Sequence, residues 1–131
     1  MIGLDTNVLV RFLVEDDEVQ TAKAAALIEK AIDENSTLFI SDVVLCETVW
    51  VLSSCYRFSR PEITTVLRKL LEADHLSFAP MSRHAHALTA YAAGKGDFAD
   101  YVIREQCVVA GCSVVATFDQ ALLKESGYQS P

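Results

Sequence analysis

The sequence predicts an α/β fold built on a parallel sheet covered by helices, and three observations carry that expectation. Short apolar runs alternate with longer segments of helical period, the pattern of strand–helix–strand units. The runs hold few polar residues, as expected of strands buried on both faces. Asp5 and Asp119 stand directly after the first and last of these runs, where parallel sheets bind ligands.

Residues 1–4 read as a short buried strand, and Asp5-Thr6-Asn7 opens a helix reaching about Val14. The acidic run 15–18 leads into a second helix, where Ala24, Leu27, Ile28 and Ala31 recur at i, i+3, i+4 and i+7. Residues 37–40 form the second strand, closed by Ser41 as a helix cap. The helix over 42–56 is apolar on most sides and is expected to be largely buried. Ser59-Arg60-Pro61-Glu62 is a capping-box pattern with proline in the first turn. Behind it, Ile63, Val66, Leu67, Leu70 and Leu71 make one apolar face. Residues 76–79 are the third strand. A helix over 83–93 stops at Gly94 and another over 98–110 stops at Gly111. Residues 113–117 are the fourth strand, followed by a short helix near 120–124.

The 131 residues suit one domain spanning 1–131. A composition that is 51% hydrophobic argues against disorder. No apolar stretch approaches the roughly 20 residues that span a bilayer, and the amino terminus carries no secretory pattern. A cytoplasmic protein with no membrane role is therefore expected. Cys46, Cys55, Cys107 and Cys112 contain no C-x-x-C pair and read as buried free thiols rather than zinc ligands or disulfides. The net charge of −7 argues against simple nucleic-acid binding through excess Lys and Arg. It suits carboxylates gathered around a metal, or a basic protein partner.

Asp5, Glu47, Asp100 and Asp119 each follow, precede or interrupt an apolar run. A buried, unpaired carboxylate is costly, and few basic residues lie next to these positions. Taken singly, Asp5 and Asp119 read as helix caps. Asp97 reads as the cap of the helix starting at Phe98, and Asp100, three residues on, can face the same way. Glu47 has no capping explanation, and a salt bridge to an arginine is its ordinary one. Taken together, two carboxylates about 5 Å apart repel by roughly 3 kcal/mol at an effective dielectric of about 20. A shared divalent cation would offset that repulsion. Oxygen-only ligation favours Mg²⁺ or Mn²⁺ over zinc, and such sites serve phosphoryl chemistry.

Four segments in series, I-G-L-D-T-N-V-L-V-R, E-T-V-W-V-L, G-D-F-A-D-Y-V-I and V-V-A-T-F-D, resemble the PIN-domain ribonucleases, and among them the VapC-type toxins of toxin–antitoxin modules. The resemblance covers nearly the whole chain. It implies a three-layer α/β/α fold with a central parallel sheet of four strands, or five if the closing residues 127–131 pair. It implies that Asp5, Glu47, Asp100 and Asp119 are the catalytic, metal-binding acids and that Asp97 is an accessory acid near a second metal. Thr6, Asn7 and Thr117 match polar positions of the family's pocket. The implied activity is Mg²⁺-dependent endoribonuclease hydrolysis by metal-activated water, leaving a 5′-phosphate and a 3′-hydroxyl. The implied partners are an RNA substrate, a cognate antitoxin with a basic tail, and a second copy in a homodimer. The chain departs from relatives that close with a fifth strand, since little follows the last acidic motif.

Other residues carry less. His75, His84 and His86 read as surface or loop histidines, and Gly94-Lys95-Gly96 as a helix-ending turn. Arg11, Lys95 and Arg104 could rim a site or be solvated charges, and Trp50 reads as core or interface packing. A receiver-type signalling domain would need a central phospho-acceptor Asp and a late Lys, which the strand ends lack. A haloacid-dehalogenase-like phosphatase would need an acid where Asn7 stands. A catalytically silent relative that only binds a partner is the remaining alternative.

Overall fold

In the computed structural model, which describes residues 1–131, strand β1 (Ile2–Gly3) leads through helices α1 (Thr6–Leu13) and α2 (Glu18–Asp33) to β2 (Leu38–Ile40). Helices α3 (Asp42–Ser54) and α4 (Arg60–Glu72) then carry the chain to β3 (Leu76–Phe78). After these come α5 (His84–Ala93), α6 (Phe98–Val109), β4 (Val115–Ala116), a 3₁₀ turn (Leu122–Lys124) and β5 (Tyr128–Gln129). The chain groups into two units, Met1–Pro80 and Met81–Pro131.

The first unit holds a three-stranded parallel sheet in the order β1-β2-β3. Ile2 pairs with Leu38, and Leu38 with Leu76. Its helices form where local signals place them. Asp17 accepts the Gln20 N–H at the start of α2, and Ser41 accepts the Val44 N–H at the start of α3. At α4 the capping box is complete: Ser59 Oγ accepts the Glu62 N–H at 3.3 Å, and Glu62 Oε1 accepts the Ser59 N–H at 3.0 Å. The face expected for α4 buries Ile63, Leu67 and Leu70, each contributing about 1.5–3 kcal/mol of transfer free energy.

The second unit pairs α5 with α6 and holds a separate two-stranded parallel sheet, β4-β5. The expected central sheet of four strands is thus corrected to three. Residues 113–117 do supply a strand, but its hydrogen-bonded neighbour is β5, with Val115 opposite Tyr128. The closing segment therefore does pair. The short helix expected near 120–124 is a single 3₁₀ turn.

Two burial expectations also change. Strand β1 is exposed, Ile2 by 54%, because it is an edge with one neighbour; Leu4 just beyond it is buried. Helix α3 buries only Leu45, Thr48, Val49 and Leu52, while Val43 and Trp50 are 67% and 65% exposed. Trp50 is therefore no core residue.

Candidate active site

Strand ends, a helix start and, for Glu47, the outer face of α3 position the acids, so their exposure follows from the fold. Asp5 sits between β1 and α1, Glu47 on α3, Asp97 and Asp100 at the start of α6, and Asp119 beyond β4. Asp5, Glu47, Asp97 and Asp119 are exposed, and Asp100 is half-buried. None of these carboxylates is fully buried, contrary to the expectation from their apolar surroundings in the sequence. A residue that interrupts an apolar run can still project outward, because termini and helix faces meet solvent.

In the first unit, Asp5 occupies the N-cap position of α1, yet its carboxylate makes no cap hydrogen bond. Capping therefore does not explain it. Glu47 likewise enters no ion pair with an arginine or lysine. Thr6, expected to be accessory, is buried with its hydroxyl lacking any partner, and so is Thr48 beside Glu47. A buried hydroxyl left unpaired costs about 1–3 kcal/mol. Asn7 is exposed and lines a cavity of about 380 Å³ with Val8, Arg11 and Leu27. Arg11 is no free rim charge: its guanidinium holds Gln20 at 2.7 Å, Asp16 at 3.0 Å and the Tyr56 hydroxyl at 3.1 Å. The Tyr56 hydroxyl in turn donates to Asp16 at 2.6 Å, and that bond, with Arg11, holds the Asp16 carboxyl below its usual range.

In the second unit, Asp97 and Asp119 lie near enough to Asp100 for their charges to act on it. Burial raises the Asp100 carboxyl above its ordinary pKa, and repulsion from Asp97, Asp119 and Glu125 adds to the rise. Asp100 Oδ2 accepts the Asp97 N–H at 2.8 Å, which opposes the rise and orients the carboxylate. Asp119 does act as a cap: its Oδ1 accepts the N–H groups of Ala121 at 2.8 Å and Leu122 at 3.2 Å. Thr117 Oγ1 accepts the Asp119 N–H at 3.1 Å, so this expected accessory residue fixes the backbone of the acid.

Glu125, Tyr101 and Tyr128 support these acids, and the sequence reading missed all three. The buried Tyr101 hydroxyl accepts the Gly96 N–H at 2.9 Å and donates to Glu125 at 2.9–3.0 Å. Tyr128 donates to the Asp100 carbonyl at 3.0 Å, and burial pushes its phenol up to about 12. Glu125 stands outside all four motifs in a short polar stretch, where no periodicity marks it. Gly94 allows the close approach of this loop, since a Cβ there would meet the Tyr101 hydroxyl, and Glu125 Oε1 at 2.6 Å. Arg104 is enclosed by the rings of Tyr101 and Tyr128 and bonded to the Ser126 carbonyl. His84, expected at the surface, is buried, and none of the four cysteines is fully buried although all are free.

In neither unit do three His, Cys, Asp or Glu side chains gather closely enough to hold an ion. The donors nevertheless suit a hard cation, being carboxylate oxygens throughout. Burial is the main cause of the raised Asp100 carboxyl, and repulsion from its acidic neighbours adds to it.

A parallel α/β frame with carboxylates beyond its strand ends narrows the class to proteins that use clustered acids at strand termini. Residues 2–125 match the PIN domain family, and the chain belongs to that family. It is similar to a VapC ribonuclease of Aquifex aeolicus (strain VF5), 28% identical over 124 residues, covering 92% of this chain and 89% of that protein. No helix is long and apolar enough to cross a membrane.

Proposed function

We propose that the chain is a divalent-cation-dependent endoribonuclease and the toxin of a toxin–antitoxin pair. Asp5, Glu47, Asp100 and Asp119 are its catalytic acids, Asp97 is an accessory acid, and Thr6, Asn7 and Thr117 are supporting polar residues. The observation that carries the reading is the pair of carboxylates held in place at the start of α6 and beyond β4, Asp100 by the Asp97 N–H and Asp119 by the Ala121 and Leu122 N–H groups, in a chain of the PIN family. Likeness to a VapC ribonuclease supports RNA as the substrate.

The proposed reaction is hydrolysis of an RNA phosphodiester. Water adds to phosphorus opposite the 3′ oxygen, the bond to that oxygen breaks, and the products are a 5′-phosphate and a 3′-hydroxyl. The acids would hold Mg²⁺ or Mn²⁺, which when bound neutralises phosphate charge and acidifies water. The chain's own contribution is orientation. The Asp97 N–H fixes one oxygen of Asp100, and Thr117 with the Ala121 and Leu122 N–H groups fixes Asp119. The net charge of −7 suits a basic antitoxin segment as inhibitor, and the active assembly is proposed to be a homodimer in the cytoplasm.

Purified protein with RNA should cleave in Mg²⁺ or Mn²⁺ and not in chelator. Asp5→Ala and Asp100→Ala should each abolish cleavage while circular dichroism and melting stay those of a folded chain. Undiminished cleavage by both variants would reject the assigned acids. No cleavage by the unaltered chain with either metal would favour the silent binding module instead.

A further inference from the structure

The turn that ends α6 holds a pair of thiols that the proposed ribonuclease chemistry does not use. Gly111 takes φ +94°, a left-handed conformation that strains any residue with a side chain. It lets the Gly111 N–H reach the Val108 carbonyl at 3.0 Å and the Cys112 N–H reach the Cys107 carbonyl at 2.8 Å. The second bond is the six-to-one closure of a Schellman turn, whose two end residues bring their side chains into contact. The Cys112 thiol is accordingly near enough to Cys107 to help raise its pKa, after burial.

Disulfide geometry is within reach of this turn. With N–Cα and Cα–O spans of about 1.5 and 2.4 Å, a 2.8 Å N···O bond keeps the two Cα atoms within about 6.7 Å. A disulfide spans Cα separations up to about 6.8 Å. Small reagents also have access, because both cysteines line a cavity of about 480 Å³ together with Val108 and Val114. Cys112 is exposed and Cys107 half-buried. The arginines of that cavity, Arg83 and Arg104, are both paired with Glu105.

We infer that Cys107 and Cys112 form a redox-sensitive dithiol, which a hydroperoxide converts to an intrachain disulfide across the turn between α6 and β4. The exposed Cys112 sulfur attacks one peroxide oxygen, forming an S–O bond as the O–O bond breaks. The departing oxygen takes up a proton and leaves as water. Cys107 sulfur then attacks the Cys112 sulfenic sulfur, the S–S bond forms, and the second oxygen leaves as water. The thiols lose two electrons and two protons in all, and hydrogen peroxide is reduced to two waters. Burial and the neighbouring thiol raise the Cys107 thiol, which disfavours it as the first attacker; in the second step it gives up its proton as its sulfur attacks, and that proton leaves with the departing hydroxyl as water.

The test treats the reduced full chain with graded hydrogen peroxide, quenches with catalase, alkylates the remaining thiols and maps them by mass spectrometry. The expected result is joint loss of alkylation at Cys107 and Cys112, a mass lower by two hydrogens, and reversal by dithiothreitol, while Cys46 and Cys55 stay alkylated. In Cys107→Ser, Cys112 should accumulate a sulfenic acid trapped by dimedone. Gly111→Val keeps both thiols but strains the turn, and should lose the joint oxidation while its circular dichroism is unchanged. The inference is overturned if Cys107 and Cys112 stay alkylated at doses that oxidise Cys55. It is equally overturned if Cys112 links chains together, or if Gly111→Val oxidises as fast as the unaltered protein.

Discussion

Tyr101→Phe removes one oxygen, and the structure says what that oxygen holds. The ring is fully buried and stays packed in the variant, so no cavity opens. The interactions lost include acceptance of the Gly96 N–H at 2.9 Å and donation to the Glu125 carboxylate at 2.9–3.0 Å. A neutral hydrogen bond contributes about 0.5–1.5 kcal/mol and one to a charged group about 1.5–3, so the loss should be about 2–4 kcal/mol. Tyr128→Phe is the control, since it removes only the bond to the Asp100 carbonyl at 3.0 Å and should lose about 0.5–1.5 kcal/mol. Urea denaturation of both variants at unchanged slope reads the difference directly. In thermal melts, about 4 °C per kcal/mol implies a drop of roughly 8–16 °C for Tyr101→Phe. RNA cleavage should fall further in Tyr101→Phe than in Tyr128→Phe, because the freed Gly94–Asp97 loop carries the N–H that orients Asp100. A midpoint for Tyr101→Phe at or above that of Tyr128→Phe would refute the reasoning.

Three further outcomes are expected. A carboxyl raised in the folded state contributes stability only while protonated, a contribution fully present below the ordinary 3.8 and lost as pH rises through the folded value. Asp100→Asn, fixed neutral, should therefore match the parent in melts at about pH 3 and exceed it at about pH 7, and a gap independent of pH would contradict this. Burial and Asp42 push the Cys46 thiol up to about 11 from 9.0, which cuts its thiolate about 100-fold while raising its nucleophilicity about tenfold. An aromatic disulfide reagent should then modify Cys46 at least about tenfold more slowly than Cys55. Ser59→Ala breaks the capping box of α4 and should cost about 1 kcal/mol in chemical denaturation.

What the sequence revealed was mostly local. The capping box at Ser59, the Ser41 cap and the helix stops at Gly94 and Gly111 depend on residues within one turn, and each appears where expected. Strand partnership is not local. Nothing in the run 113–117 distinguishes a fourth strand of a large sheet from the partner of Tyr128 and Gln129. Exposure was misjudged for a related reason. The all-round apolar pattern of α3 suggested burial, yet the helix covers one face only and leaves Val43 and Trp50 in solvent. The acids were legible as residues because four motifs occur in series, whereas their supports were not. Tyr101 lies inside a motif without a pattern that reveals its hydroxyl's role, and Glu125 lies beyond any motif.

The acids also differ in how far their carboxylates are already committed, and that difference has chemical meaning. Asp119 gives one oxygen to two turn N–H groups, and Asp100 gives one to Asp97. Each is thereby oriented with a second oxygen left over, the arrangement that supporting hydrogen bonds impose on metal ligands. Asp5 makes no cap bond and Glu47 no ion pair. Leaving a helix start uncapped forgoes about 1 kcal/mol, a stabilisation that Asp5 is placed to supply and does not. A residue type suited to capping, in the capping position, with its carboxylate making no cap bond, is what the role proposed for Asp5 requires, since a ligand needs its oxygens uncommitted.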